Sequence, residues 1–155
     1  MSVRADVETF RDIPIFAECD PVHLQLLSFS AVRESHDTGD AVIRQGGQDN
    51  AAYLILSGHV ELSSAEAGPF GTAGPGALLG EVAMIGASPY SGTAIALEPV
   101  TVARIDRELF MRVAAEFPEF GAAVYRALAR KLERSVHALA ETREGFEKAR
   151  SFGSL

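Results

Sequence analysis

The chain has 155 residues, of which 47% are hydrophobic and 23% charged, and this composition excludes a disordered or fibrous protein and suffices for one folded domain. Acidic side chains outnumber basic ones by 21 to 14, which argues against direct DNA binding because DNA requires a basic face. The single cysteine, Cys19, suits a reducing cytoplasm. Neither a signal peptide nor an apolar run of membrane-spanning length is visible, so we expect a single cytoplasmic domain over residues 1–155 with no membrane contact.

Residues 1–30 are predicted to form N-terminal helices. Asp20 is a suitable N-cap for the second of them, and Pro21 suits the first helical position because its missing N–H would have no partner there. The leucines that follow give this helix an apolar face.

Residues 31–105 change character, because short apolar runs alternate with turns that contain glycine. This spacing is typical of an all-β protein and predicts about eight short antiparallel strands in a β-roll or jelly roll. Five of the strands are predicted at residues 40–44, 52–56, 59–62, 93–97 and 100–105.

Residues 106–150 are predicted to form the C-terminal helices. Asp106 is an N-cap candidate for a short helix, and a long helix follows from about Pro118 to Lys148. Side chains spaced alternately three and four apart predict a seam for a homodimer. The alternative is a helix packed on its own domain, with Val124, Leu128, Leu132 and Val136 facing inward. The seam consists of Tyr125, Leu128, Leu132, Ser135, Leu139, Thr142, Phe146 and Ala149.

The order of these elements resembles the cyclic nucleotide-binding domain family, which includes sensor domains of catabolite-activator-like regulators and regulatory subunits of protein kinase A. The resemblance covers roughly residues 10–140 and is carried by Gly39-Asp40, by the hairpin of residues 53–60, and by the segment of residues 76–84. It implies a mainly β fold with flanking helices and a regulatory function. The last segment matches the start of the family's phosphate-binding cassette.

The cassette residues also have a chemistry of their own. A glycine turn that opens a short helix offers N–H groups to an anion, and Glu81 could accept a hydrogen bond from a ribose 2′-hydroxyl. An ordinary capped turn, with Glu81 favourably placed at a helix start, is the alternative. The predicted ligand-binding residues are Gly80, Glu81, Val82, Ala83, Tyr90, Ser91, Gly92 and Thr93.

One position departs from the family's pattern. The resemblance implies an arginine that pairs with the cyclic phosphate, and counting forward from Glu81 places Tyr90 there. Loss of this cation should weaken the binding of cyclic AMP or cyclic GMP by about ten- to a thousandfold. We therefore expect Tyr90→Arg to strengthen it.

Two functions remain open. The first is a stand-alone sensor that binds a small ligand in the roll, such as a weakly held cyclic nucleotide, and signals through the C-terminal helix. The second is a degenerate roll that binds no nucleotide and acts as a dimerisation module or docks on a separate effector protein.

An enzyme is not expected. Cupin-type chemistry requires histidines and a carboxylate that converge on a metal, and the four histidines here lack that spacing. Cys19 lies between two acidic residues, which should raise the pKa of its thiol. We predict no metal site and no certain cofactor, and a cyclic nucleotide is the candidate ligand. We expect no DNA-binding domain, because residues 143–155, which include the end of the seam, are too few for a helix-turn-helix.

Overall fold

The computed structural model describes residues 3–131 and residue 133. The helices are α1 (Val3–Arg11), α2 (Pro21–Ser30), α3 (Glu81–Gly86), α4 (Arg107–Glu116) and α5 (residues 118–131), with a 3-10 turn at Pro14–Phe16. The strands are β1 (Val32–His36), β2 (Ala41–Ile43), β3 (Ala51–Ser57), β4 (Val60–Ser64), β5 (Gly68–Ala73), β6 (Leu78–Leu79), β7 (Thr93–Ala96) and β8 (Val100–Asp106).

The strands form two four-stranded sheets in which every neighbouring pair is antiparallel. One sheet has the order β1-β8-β3-β6 and the other has the order β2-β7-β4-β5. Consecutive strands along the chain mostly alternate between the sheets, as in a roll. The predicted fold class, a mainly β roll of eight antiparallel strands with flanking helices, is confirmed.

The alternation of side chains along β3 divides the core into two parts. Ala51, Tyr53 and Ile55 face the space between the two sheets, together with side chains from β2, β4 and β7. The intervening residues face the opposite side, where the helices pack. Because successive side chains of a strand point to opposite faces, a strand such as β3, which is apolar from Ala51 to Leu56, must be covered on both.

The helices begin where the sequence predicted them to begin. The Asp20 side chain accepts a hydrogen bond from the N–H of Val22 at 2.9 Å, and Pro21 is the first residue of α2. The Asp106 side chain accepts one from the N–H of Leu109 at 2.7 Å. Both N-cap predictions are confirmed, because a carboxylate at this position satisfies a backbone donor that the helix leaves free.

Helix α5 packs on its own domain along one face. Val124 and Leu128 lie in the core with the rings of the N-terminal helices, as the alternative reading predicted. Leu128 therefore cannot belong to an exposed seam, and its place in the predicted heptad is wrong. The exposed face of α5 carries Ala122, Tyr125 and Ala129 instead. The remainder of the predicted seam, from residue 132 to residue 149, lies outside the described residues.

Within the described part of the chain, no helix combines the length and the apolar character needed to cross a membrane.

Candidate ligand-binding site

A cavity of about 480 Å³ lies between α3, the loop that follows it, and the sheet that contains β4 and β7. All eight residues predicted from the sequence line this cavity. They come together because α3 and β7 are joined by a short loop, residues 87–92, which returns the chain to the same place. The other lining residues are Ile43, Leu62, Phe70, Leu78, Leu79, Pro89 and Ala94.

Gly80 connects β6 to α3 in a conformation that favours glycine. Its φ is 80°, in the left-handed region. A Cβ at this position would lie 2.7 Å from the ring carbon Cε1 of Tyr90 and 2.9 Å from the carbonyl oxygen of Ala51. The close approach that glycine permits here is therefore an approach to Tyr90 and β3, within the protein itself.

Tyr90 forms part of the cavity wall, and its ring is 7% exposed. The phenolic hydroxyl donates a hydrogen bond to the carbonyl oxygen of Ala51 at 2.7 Å and accepts one from the N–H of Ala51 at 3.2 Å. The backbone of Tyr90 is also hydrogen-bonded to Gly46 and Gly47, at 2.8 and 3.0 Å. Burial raises the pKa of Tyr90, so the ring stays neutral. The side chain at the arginine position thus connects the cassette to β3.

Glu81, at the start of α3, forms an ion pair across the molecule. Its carboxylate is 12% exposed and accepts a hydrogen bond from Nζ of Lys131 in α5. The sequence analysis did not identify Lys131 as a site residue, because fifty positions separate it from Glu81. No local pattern could have revealed this pairing, since it depends on which face of α5 packs against the body.

Ser91, Gly92 and Thr93 form the part of the wall next to β7. The Thr93 hydroxyl accepts a hydrogen bond from the N–H of Gln45 at 3.0 Å, which fixes its oxygen toward β2. Gly92 lies so close to β4 that an added Cβ would be 2.9 Å from the carbonyl oxygen of Ser63. Ser91 is exposed.

The cavity lacks the arginine that the family resemblance implies. No lysine or arginine occurs among its lining residues in the described chain. Arg104, one of the arginines nearest to the cassette in sequence, lies on β8, where its guanidinium contacts Asp49 at 3.1 Å and Asp106 at 3.5 Å. Hydrogen bonds from Tyr53 and Arg104 hold the pKa of Asp49 below its usual range. Asp49 and Asp106 therefore neutralise the charge of Arg104, and Arg104 does not line the cavity.

Other reactive side chains lie apart from this cavity. Within residues 3–131, no three His, Cys, Asp or Glu side chains gather as they would around a metal ion. Cys19 is buried beside α5, and burial, with a smaller contribution from Glu18, raises the pKa of its thiol to about 11. The predicted direction of this shift is confirmed, although its main cause is burial rather than the neighbouring charges.

Known proteins with a similar sequence or fold are cyclic nucleotide-binding domains and proteins that contain a related domain. The family model described as "Cyclic nucleotide-binding domain" matches residues 33–117. The structure of a cyclic nucleotide-binding-like protein from Brucella abortus is 31% identical, with a TM-score of 0.65, and the match covers 72% of this chain and 98% of that one. The N-terminal domain of a transcriptional regulator from Streptomyces coelicolor is 26% identical, with a TM-score of 0.76, over 86% of this chain and 94% of that one.

Relatives with an assigned function are longer than this chain. The cyclic AMP receptor protein of Thermus thermophilus is 27% identical over 126 residues, which are 79% of this chain and 58% of the relative. The acetyltransferase Pat of Mycolicibacterium smegmatis is 34% identical over 101 residues, which are 63% of this chain and 30% of the relative. The chain thus spans well under two thirds of either. From the matched family model, the eight-stranded roll and the cassette at its cavity, we conclude that this chain belongs to the cyclic nucleotide-binding domain family.

Proposed function

We propose that this chain is a regulatory sensor domain that binds a small ligand in the cavity beside α3 and signals through the C-terminal helix. One observation carries the proposal: the carboxylate of the cavity, Glu81, is held by Lys131 of α5. The cavity has the size of small-molecule sites in proteins, which are about 300–1,000 Å³. The proposed role is binding without catalysis.

The proposed affinity for cyclic AMP and cyclic GMP is low. Tyr90 offers the phosphate no charge, and its hydroxyl already has two partners on Ala51. A hydrogen bond to a charged group contributes about 1.5–3 kcal/mol, so loss of a two-pronged arginine weakens binding by about ten- to a thousandfold.

The ion pair between Glu81 and Lys131 suggests how binding would be communicated. A ligand that donates a hydrogen bond to Glu81 competes with Lys131 for the same carboxylate. Once Lys131 loses this contact, the position of α5 against the body becomes less favourable. A ligand that prefers one position of α5 shifts the population toward it, and this shift is the signal.

The second candidate function is dimerisation or docking on a separate effector protein without any small ligand. The exposed apolar side chains on α5, Ala122, Tyr125 and Ala129, favour this function. We propose that this face forms a homodimer whether the chain acts as a sensor or as a docking module. The buried thiol of Cys19 is compatible with the cytoplasmic location that we propose.

A thermal-shift screen with cyclic nucleotides and common metabolites tests the sensor function. A ligand that binds the folded state alone must raise the melting temperature. We expect at least one compound to do so in the wild type and to lose its effect in Glu81→Ala. Glu116→Ala, which changes an exposed glutamate at the end of α4, is the matched control and should keep the shift. If no compound produces a shift, the docking function takes precedence.

A further inference from the structure

Most of the lining of the cavity is apolar. Phe70 and Val82 line it and are 59% and 46% exposed, so their side chains remain available to a ligand. Burial of such surfaces by a ligand is favourable in proportion to the apolar area removed from water. The other apolar side chains of the wall are Ile43, Leu62, Leu78, Leu79, Ala83, Pro89 and Ala94.

The polar groups of the wall are mostly engaged. The Tyr90 hydroxyl has both a donor and an acceptor on Ala51, and the Thr93 oxygen receives the N–H of Gln45. The strongest acceptor is the carboxylate of Glu81, whose Oε1 binds Lys131 and which can accept a further hydrogen bond but cannot donate one. The cavity therefore favours a ligand with a hydrogen-bond donor.

Negative charge is poorly accommodated at this site. α3 has only six residues, and Glu81 in its first turn opposes the small positive potential of the helix start. Lys131 brings a positive charge near, but that charge is paired with Glu81. A phosphate that enters the cavity would lose water without gaining a matching cation, which is costly.

We infer that the cavity selects a small, neutral, largely apolar molecule that carries one N–H or O–H donor for Glu81. This inference rests on the proposed sensor function and specifies its ligand class. Such a ligand buries the apolar wall, donates a hydrogen bond to the carboxylate, and brings no charge that needs a partner.

Two fluorescent probes that differ by a single charge test this inference. N-phenyl-1-naphthylamine is neutral and carries one N–H donor, whereas 8-anilino-1-naphthalenesulfonate adds a sulfonate to the same anilinonaphthalene framework. We expect the neutral probe to bind at least about tenfold more tightly, since a charge buried without a partner is disfavoured. Titrations at high salt remove the long-range repulsion by the acidic protein, which would otherwise bias the comparison.

Substitution of two exposed phenylalanines, one in the cavity wall and one outside it, tests whether the probe binds in the cavity. Phe70 lines the cavity, whereas Phe29 is 76% exposed on α2 and does not line it. We expect Phe70→Ala to weaken binding of the neutral probe by about five- to tenfold, because it removes apolar contact area. Phe29→Ala should leave the affinity unchanged. Circular dichroism checks that both variants are folded.

Three results would overturn the inference. Tighter binding of the sulfonate, no saturable binding of the neutral probe, or equal loss in both phenylalanine variants would each exclude this ligand class at this cavity. If cyclic AMP still produces a thermal shift that depends on Glu81, the ligand class alone is wrong and the sensor function stands. If the neutral probe does not bind and no compound of the thermal-shift screen produces a shift, the sensor function fails as well.

Discussion

At the scale of single residues, Tyr90 has two roles that the sequence could not separate. It stands where the family places a phosphate-binding arginine, and its side chain also belongs to the core between the sheets. Its hydroxyl pairs with both polar groups of the Ala51 backbone, at the start of β3. Replacing it changes the stability of the fold together with the charge of the cavity.

Tyr90→Arg should therefore change the stability of the fold as well as the affinity for cyclic AMP. The arginine cannot satisfy both the N–H and the carbonyl of Ala51, and a buried polar group without a partner costs about 1–3 kcal/mol. We expect the free energy of unfolding to fall by at least about 2 kcal/mol, in addition to the gain in cyclic AMP binding predicted from charge.

Ser91→Arg is the matched variant, because Ser91 lines the same cavity and is exposed. It should change stability by no more than about 0.5 kcal/mol and strengthen cyclic AMP binding by about tenfold or more. Chemical denaturation and isothermal titration of both variants measure the two effects. A Tyr90→Arg variant as stable as the wild type would contradict this account of the Tyr90 side chain.

At the scale of elements, α5 is joined to the body by two neighbouring cations as well as by its buried face. Arg130 contacts Glu18 at 2.7 Å, and Lys131 contacts Glu81 of the cavity. The first pair holds the helix to the N-terminal segment. The second holds it to the proposed ligand site.

These adjacent cations allow a test of whether ligand binding at Glu81 is coupled to the position of α5. Lys131→Met removes the competitor for Glu81, so the affinity for the neutral N-phenyl-1-naphthylamine should rise. Because an exposed ion pair contributes at most about 1 kcal/mol, the gain should be up to about fivefold. Arg130→Met should leave the affinity unchanged, since Glu18 does not line the cavity. Equal effects of the two substitutions in titrations would show that Lys131 has no special connection to the ligand.

At the scale of the whole molecule, one face of α5 packs on the domain, and the opposite face is exposed and available for a dimer contact. Leu128 is 9% exposed and packs in the core, whereas Tyr125 is 46% exposed on the other face. The proposed homodimer must use the exposed face, because the inward face is already covered.

Tyr125→Glu should therefore separate the proposed dimer into monomers without a large change in the unfolding of each monomer. Leu128→Ala should instead lower the free energy of unfolding by about 2–5 kcal/mol, because it leaves a cavity in the core. Light scattering and chemical denaturation of both variants distinguish the two faces. A wild type that is monomeric at high micromolar concentration would contradict the dimer.

Features that depend on neighbouring residues could be predicted from the sequence. The strands follow from short apolar runs between turns, and the helix starts follow from Asp20 and Asp106, because both kinds of feature arise within a few positions. The cassette residues also meet in one cavity because they are close in the sequence and a short loop joins α3 to β7.

The surfaces that face each other could not be predicted from the sequence. Two apolar spacings overlap on the C-terminal helix, and Leu128 belongs to both, so periodicity alone could not say which face is buried. The same packing places Lys131 beside Glu81 and turns the Tyr90 hydroxyl toward Ala51. Contacts of this kind join residues far apart in the chain, and no local pattern specifies them because they arise when complete elements pack against each other.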